Sequence, residues 1–488
     1  MGHRIQFVDT TIRDGNQSLW DATGIDTQAV LGIAPVLDQV GFLAIDFTAS
    51  THMAVSVRRH HEDPWAKIRL TRAAMPRTPL SAMTTGMRFI SWERSPKVIM
   101  RLAYELFARN GIRRIQILEP MNDMAVLAES ASMAKAAGLE TVVAALCYSI
   151  SPFHTTEYFA SRAEQLRGLP NIDIVYIKDP GGLLKPESVA SLVPGVRVAL
   201  PNRPIEIHSH CNTGLAPTCY EEAVKLGVRT VHTAVEPLAN GTSQPSARQM
   251  LVSLKDLGYE ADLDEQALER VSSYFFDLAR RTGRPEGRPV QYDPSYYDHQ
   301  VPGGMMSTLT RQLSELGKSD ALSRVLAEIP RVRAELGYPI MVTPFSQFVA
   351  TQALLNVTSN RGRYEEVADE VIGYVLGRYG SPPGPMDQDV TDRILARPRA
   401  RQLAAAVPPD PTLHELRNRF GLDLSDEELL LRTVMPASQL DALHMERPTH
   451  RATSIAAPLK MLLSELGARR DVTYLSVNKG DLTLRLKS

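Results

Sequence analysis

The chain has 488 residues, 43% of them hydrophobic, and a formal net charge of −1. That length exceeds one ordinary core and predicts two or three domains. Near-neutral charge supplies no footprint for nucleic acid or an anionic membrane, and no apolar run is long enough to span a bilayer.

The N-terminus enters a strand pattern, RIQFVDTT, at once, which leaves no room for a signal peptide. Short β-rich apolar runs then recur at 4–11, 42–48, 79–85, 113–119, 140–148, 172–179, 204–211 and 229–236. Between them lie helical patterns such as SPKVIMRLAYELFARNG, with Val98, Leu102 and Leu106 at i, i+4 and i+8 and a stop at Gly111. Eight strand–helix units within about 250 residues predict a TIM (β/α)8 barrel over 1–262, in preference to an open doubly wound sheet. From 263 to 468 helical patterns dominate, broken by the Pro-rich GSPPGPMDQD, and predict a mostly α-helical C-terminal domain. The tail 469–488 alternates like a small hairpin around a Lys-Gly turn. Three cysteines without metal-type spacing (Cys147, Cys211, Cys219) fit a reducing cytoplasm, the expected location.

Active sites of closed barrels form at the C-terminal strand ends. Polar residues gather there: Asp9–Asp14, Asp46, Thr84–Arg88, Glu119 with Asn122 and Asp123, Lys178–Asp179, and the pair His208 and His210 in PIEIHSHCNTG. Residues i and i+2 of a strand share a face, with Cα atoms roughly 6.6 Å apart, so two imidazoles can converge on one cation. The alternative is two hydrogen-bonded histidines on a polar face. Cys211 falls on the opposite strand face and is given no catalytic role.

Asp14 and the two histidines are ordinary ligands for a divalent metal such as Zn, Mn or Co. Lys178 fits less simply, because an ammonium repels a cation. One reading is a salt bridge to Asp14 or Asp179. The other is that its amine has reacted with CO2, giving an anionic carbamate with oxygen ligands. Such a site can polarise a substrate carbonyl. Arg13 and Gln17, flanking Asp14, either stabilise the turn or orient an anionic or carbonyl ligand. Thr343, in IMVTPFSQFVATQ, stands where threonine commonly caps a helix.

Taken together, DTTIRDGNQSL, HEDPWAKIRLTRAAMPRTPL, CYSISPFHTTEYF, YIKDPGGLLKP, HSHCNTG, PLANGTSQPS, YYDHQVPGGMMSTL, VTPFSQFVATQALLNV and EVIGYVLGRYGSPPGP run in one order from residue 8 to beyond 385. In that order they resemble the carboxyltransferase component of biotin-dependent enzymes. Relatives are the oxaloacetate decarboxylase α subunit, the keto-acid-side subunit of transcarboxylase and the corresponding domain of pyruvate carboxylase. The resemblance implies a barrel with the helical domain covering its mouth, and a homodimer. It implies metal ligation by Asp14, His208, His210 and an N6-carboxylated Lys178, and substrate contacts by Arg13 and Gln17. Thr343 matches the threonine that moves a proton between substrate and biotin. Carboxybiotin would release CO2 in a water-poor pocket, and a metal-stabilised enolate of a small carbonyl substrate would capture it.

The pocket departs from the family. A substrate-binding arginine is expected at Thr85, and a hydroxyl cannot replace its charge-assisted contact, worth roughly 1.5–3 kcal/mol. The family tyrosine seven positions on is Trp92, and the Gly-rich stretch of strand two reads DFTASTHMA. Pyruvate or oxaloacetate in the usual pose is therefore not expected: either Arg88, three residues beyond Thr85, takes over a carboxylate, or the acceptor is a different carbonyl compound. Lys460, in PLKML, lies in a helical run and is not a biotin-attachment site. The biotin carboxyl carrier protein and the biotin carboxylase subunit are therefore expected on other polypeptides, with 469–488 a candidate carrier-docking segment. Two alternatives stand beside this reading. One is a metal-dependent Claisen-type acyl-CoA lyase or synthase barrel, which shares the RDGNQ loop and HxH strand. The other is a non-catalytic assembly subunit.

Overall fold

The computed structural model describes residues 4–445 apart from 92, 316, 360–361 and 407–409, together with the backbone of two strands, 474–479 and 482–487. Trp92 and Lys460 lie outside the described residues. Eight parallel strands close in sequence order: β1 (Gln6–Asp9), β2 (Ala44–Ala49), β3 (Leu80–Thr85), β4 (Ile112–Leu118), β5 (Thr141–Cys147), β6 (Ile174–Asp179), β7 (Ile205–Ser209) and β8 (Thr230–Thr233), with β8 pairing back onto β1. Each predicted run overlaps one of them; β2 runs one residue past its predicted end and β4 starts one residue before its predicted start. They read as continuous apolar runs because both faces are covered, by the outer helices and by the barrel interior.

β5 shows the division. Val142, Ala144 and Leu146 join the core under the outer helices, whereas Val143, Ala145 and Cys147 belong to a separate interior cluster. The helix Lys97–Asn110 buries Leu102 and Leu106 on the barrel. It ends at Gly111, whose φ of +108° is a conformation that only glycine adopts without strain.

From Glu265 to Met445 the regular elements are helical. Val325, Ile329, Val332, Phe345, Phe348 and Tyr374 form a second core there. Ile340 and Val342, just before Thr343, leave that core and pack against Leu118, Val143, Ala145, Cys147 and Tyr176 inside the barrel. Burying each of these two side chains contributes about 1.5–3 kcal/mol, so the helical region is anchored in the mouth. Arg333 fastens the same junction, donating to the carbonyls of Pro339 and Ile150 and to Ser149 Oγ.

β9 (Tyr474–Lys479) and β10 (Leu482–Lys487) pair antiparallel, Leu482 opposite Lys479. Among the described residues, no helix is long and apolar enough to cross a membrane.

Candidate active site

The chain leaves β1 through a wide helical turn, Thr11–Gly15, which carries Asp14 over the barrel mouth. Lys178 stands near the end of β6, in register with His208 on β7, and His210 follows β7 by one residue. These elements bring all four side chains together. Asp14 Oδ2 lies 2.9 Å from Lys178 Nζ, 3.0 Å from His208 Nε2 and 3.5 Å from His210 Nε2. Lys178 Nζ is also 2.7 Å from His208 Nε2. Asp179 is not the lysine's partner: its carboxylate accepts from the Leu183 and Leu184 amides and from Ser209 Oγ, shaping the loop after β6.

The cluster is buried, and burial sets its charges. It would raise the Asp14 carboxyl, but Arg13 and then Lys178 hold that group well below the usual range. Burial lowers the Lys178 ammonium against the pull of Asp14. It also pushes His208, beside the lysine, well below its ordinary value, so this imidazole is neutral. His210 Nδ1 lies 2.7 Å from the Thr242 carbonyl oxygen, a contact that needs Nδ1–H and leaves Nε2 with a lone pair. The Asp14, His208 and His210 ligand atoms all lie within 4.8 Å of one another. One carboxylate oxygen and two imidazole nitrogens gathered around an ammonium form a donor set that fits a divalent cation.

Gln17, Thr85, Arg88 and Thr343 line one cavity of about 1630 Å3 between the barrel mouth and the helical region. Gln17 Oε1 is buried there without a hydrogen-bond partner among the described residues. Thr343 is not a helix cap. Pro344 occupies the cap position of the helix Phe345–Thr358, which has no side-chain cap, and the threonine faces the cavity. Arg88 is 6% exposed, stacks over the Tyr379 ring at 5.3 Å and lies 4.0 Å from Glu119. The Arg13 guanidinium is buried and engages Asp46 on β2 through two nitrogens and Asp14 at 3.2 Å. Like Asp14, Lys178, His208 and His210, it is not among the residues lining the cavity.

Three polar residues that the sequence reading left out lie beneath the cluster: Arg114, Glu206 and His232, all buried. Glu206 had a signal, since in PIEIHSH it shares the strand face of His208 and His210. His232 had a weaker one, as a lone imidazole in the apolar run of β8.

A closed barrel carrying an acid, a lysine and two histidines at its C-terminal rim, with a helical region set into its mouth, defines a barrel enzyme with a candidate metal site. A family profile described as a conserved carboxylase domain matches residues 296–481, and one described as HMGL-like matches 110–274. A pyruvate carboxylase subunit of Methanocaldococcus jannaschii is 35% identical over 438 residues, covering 88% of this chain and 76% of that one. The methylmalonyl-CoA carboxyltransferase 5S subunit of Propionibacterium freudenreichii subsp. shermanii is 27% identical over 98% of this chain and 95% of its own length. The fold is shared with the carboxyl transferase domain of Rhizobium etli pyruvate carboxylase solved with pyruvate, at a TM-score of 0.83 and 23% identity, over 99% of this chain and 84% of that one. The chain belongs to the family of carboxyltransferase subunits of biotin-dependent carboxylases. The HMGL-like match is confined to 110–274, so a Claisen-type lyase leaves the carboxylase match over 296–481 without an account.

Proposed function

We propose that this enzyme moves CO2 between carboxybiotin, brought by a separate carrier protein and charged by a biotin carboxylase subunit, and a small ketone that bears a carboxylate. The observation that carries this reading is the convergence of Lys178 with Asp14, His208 and His210 in one buried cluster. Asp14, His208, His210 and a carboxylated Lys178 would hold a divalent ion such as Zn, Mn or Co. When bound, it supplies Lewis-acid polarisation of the acceptor carbonyl.

The lysine's surroundings favour the carbamate. Burial enlarges the fraction of neutral amine, the form that attacks CO2. The N–C bond forms as a proton leaves the nitrogen, and the product is an anion suited to a cation site. Thr343 and Gln17 face the cavity in which acceptor and biotin would meet. The threonine hydroxyl can take the proton from the acceptor's α-carbon and pass it to the biotin ureido nitrogen, or run the reverse. Ile340 and Val342, packed into the mouth, restrict the water that would quench free CO2 or a carbanion.

The full chain, mixed with carboxylated carrier and a series of carbonyl compounds, should discharge the carrier only when a keto acid is present, and should hold one divalent ion per chain. Discharge by no acceptor, or cleavage of an acyl-CoA without biotin, would refute the proposal.

Arg88 is the cavity cation assigned here to the acceptor's carboxylate, and Glu119 regulates it. Burial pushes the Glu119 carboxyl up to about 7. Below that pH the acid is neutral and no longer competes with the substrate for the guanidinium. Above it the carboxylate competes from 4.0 Å away. KM for a keto acid should therefore rise as pH climbs through about 7, by roughly tenfold, the equivalent of one weakened charge-assisted bond. Glu119→Gln should flatten that profile. An unchanged KM profile in the variant would remove Glu119 as the group that governs acceptor binding.

A further inference from the structure

We infer that His232 and Glu206, beneath the cluster, decide which nitrogen of His208 is free to act as a ligand. The assignment rests on the proposed metal site. It follows from four side chains in a line: Arg114 on β4, Glu206 and His208 on β7, and His232 on β8. Arg114 pairs with Glu206 Oε2. Glu206 Oε2 lies 2.8 Å from His232 Nε2, and His232 Nδ1 lies 3.2 Å from His208 Nδ1. His208 Nε2 then faces Asp14 and Lys178 at the rim. The line is buried: both imidazoles are 0% and Glu206 1% exposed.

Hydrogen-bond directions along this line are not free. An ionised carboxylate only accepts, so His232 must present Nε2–H to Glu206. A neutral His232 then carries its lone pair on Nδ1. For the 3.2 Å contact to be a bond, His208 must donate from Nδ1, which leaves the lone pair of His208 on Nε2, toward the rim.

The line has an opposing pull to overcome. Asp14 Oδ2, 3.0 Å from His208 Nε2, is itself a strong acceptor. Once Lys178 is carboxylated and no longer donates to that nitrogen from 2.7 Å away, Asp14 would draw the imidazole proton to Nε2, giving the tautomer that cannot ligate. Histidine ligands ordinarily donate their second N–H to a carboxylate or carbonyl. Here a second histidine is inserted between ligand and carboxylate. The Tyr176 ring lies 5.4 Å from His232 with the planes 10° apart and fixes its orientation. His232 and Glu206 are therefore positioning residues, acting through His208.

Two variants of the full chain separate this from simple packing. His232→Leu fills space but accepts no bond, whereas His232→Asn can place an amide oxygen near the position of Nδ1. With histidine-selective 15N labelling of metal-free protein, and His208 assigned by substitution, the wild type should show His208 as the Nδ1–H tautomer. His232→Leu should shift it toward Nε2–H, and His232→Asn should restore it. Cobalt affinity, measured against a competing chelator, should fall about 10- to 100-fold in His232→Leu and stay within about threefold of wild type in His232→Asn. An Nε2–H tautomer in the wild type, or equal losses of affinity in both variants, would overturn the inference. A wild type that shows the Nδ1–H tautomer but takes up no metal would refute the metal site and leave the tautomer assignment standing.

Discussion

Replacing Lys178 by alanine is expected to lower carboxyl transfer by about 10³-fold or more, since it removes the group assigned as an anionic ligand from a buried electrostatic site. Two readings of this lysine predict different partial cures. As an ammonium it would serve by neutralising Asp14, 2.9 Å away. Lys178→Arg would then keep much of the activity, and a small alkylamine would rescue the alanine variant. As a carbamate it would supply anionic oxygens. Arginine, which stays protonated, would then be as inactive as alanine, and a short carboxylate such as propionate would restore part of the rate. The expected result is rescue by the carboxylate alone, accompanied by recovery of bound metal. Rescue by amine, or an active arginine variant, would remove the carboxylated lysine from the proposal.

The legibility of this site in the sequence divides along a physical line. Asp14, Lys178, His208 and His210 could be found because strand periodicity and barrel geometry place strand ends on one rim, whatever the details of packing. The eight strands were legible for a similar reason, since a barrel strand covered on both faces leaves a short apolar run between helical patterns. Bonds across strands were not. Arg13 adjoins Asp14 in the sequence, but its second carboxylate partner had no local signal. Only the approach of β1's following turn to β2 reveals Asp46 as its partner. His232 meets His208 across the β7–β8 pairing, where Glu206 stands opposite Thr230, and no local pattern states that register. Thr343 shows the limit in the other direction. Its position before a helix suggested a cap, yet the helix starts two residues later and the side chain turns to the cavity.

That orientation makes Thr343→Ala the second large expected effect. Moving a proton through a positioned side chain contributes about 10²–10⁴-fold to rate, and kcat should fall within that range. KM for the acceptor should change little, because the hydroxyl is assigned to the reaction and not to uniform binding. Thr343→Ser keeps an oxygen at the same branch and should recover most of the loss. Folding is a poor explanation for such a pattern. The segment is held by Ile340 and Val342 in the barrel interior and by Phe345 in the helical core, none of which the substitution touches. Thermal unfolding of both variants should therefore track the wild type. An alanine variant turning over within about threefold of wild type would assign the proton to another group.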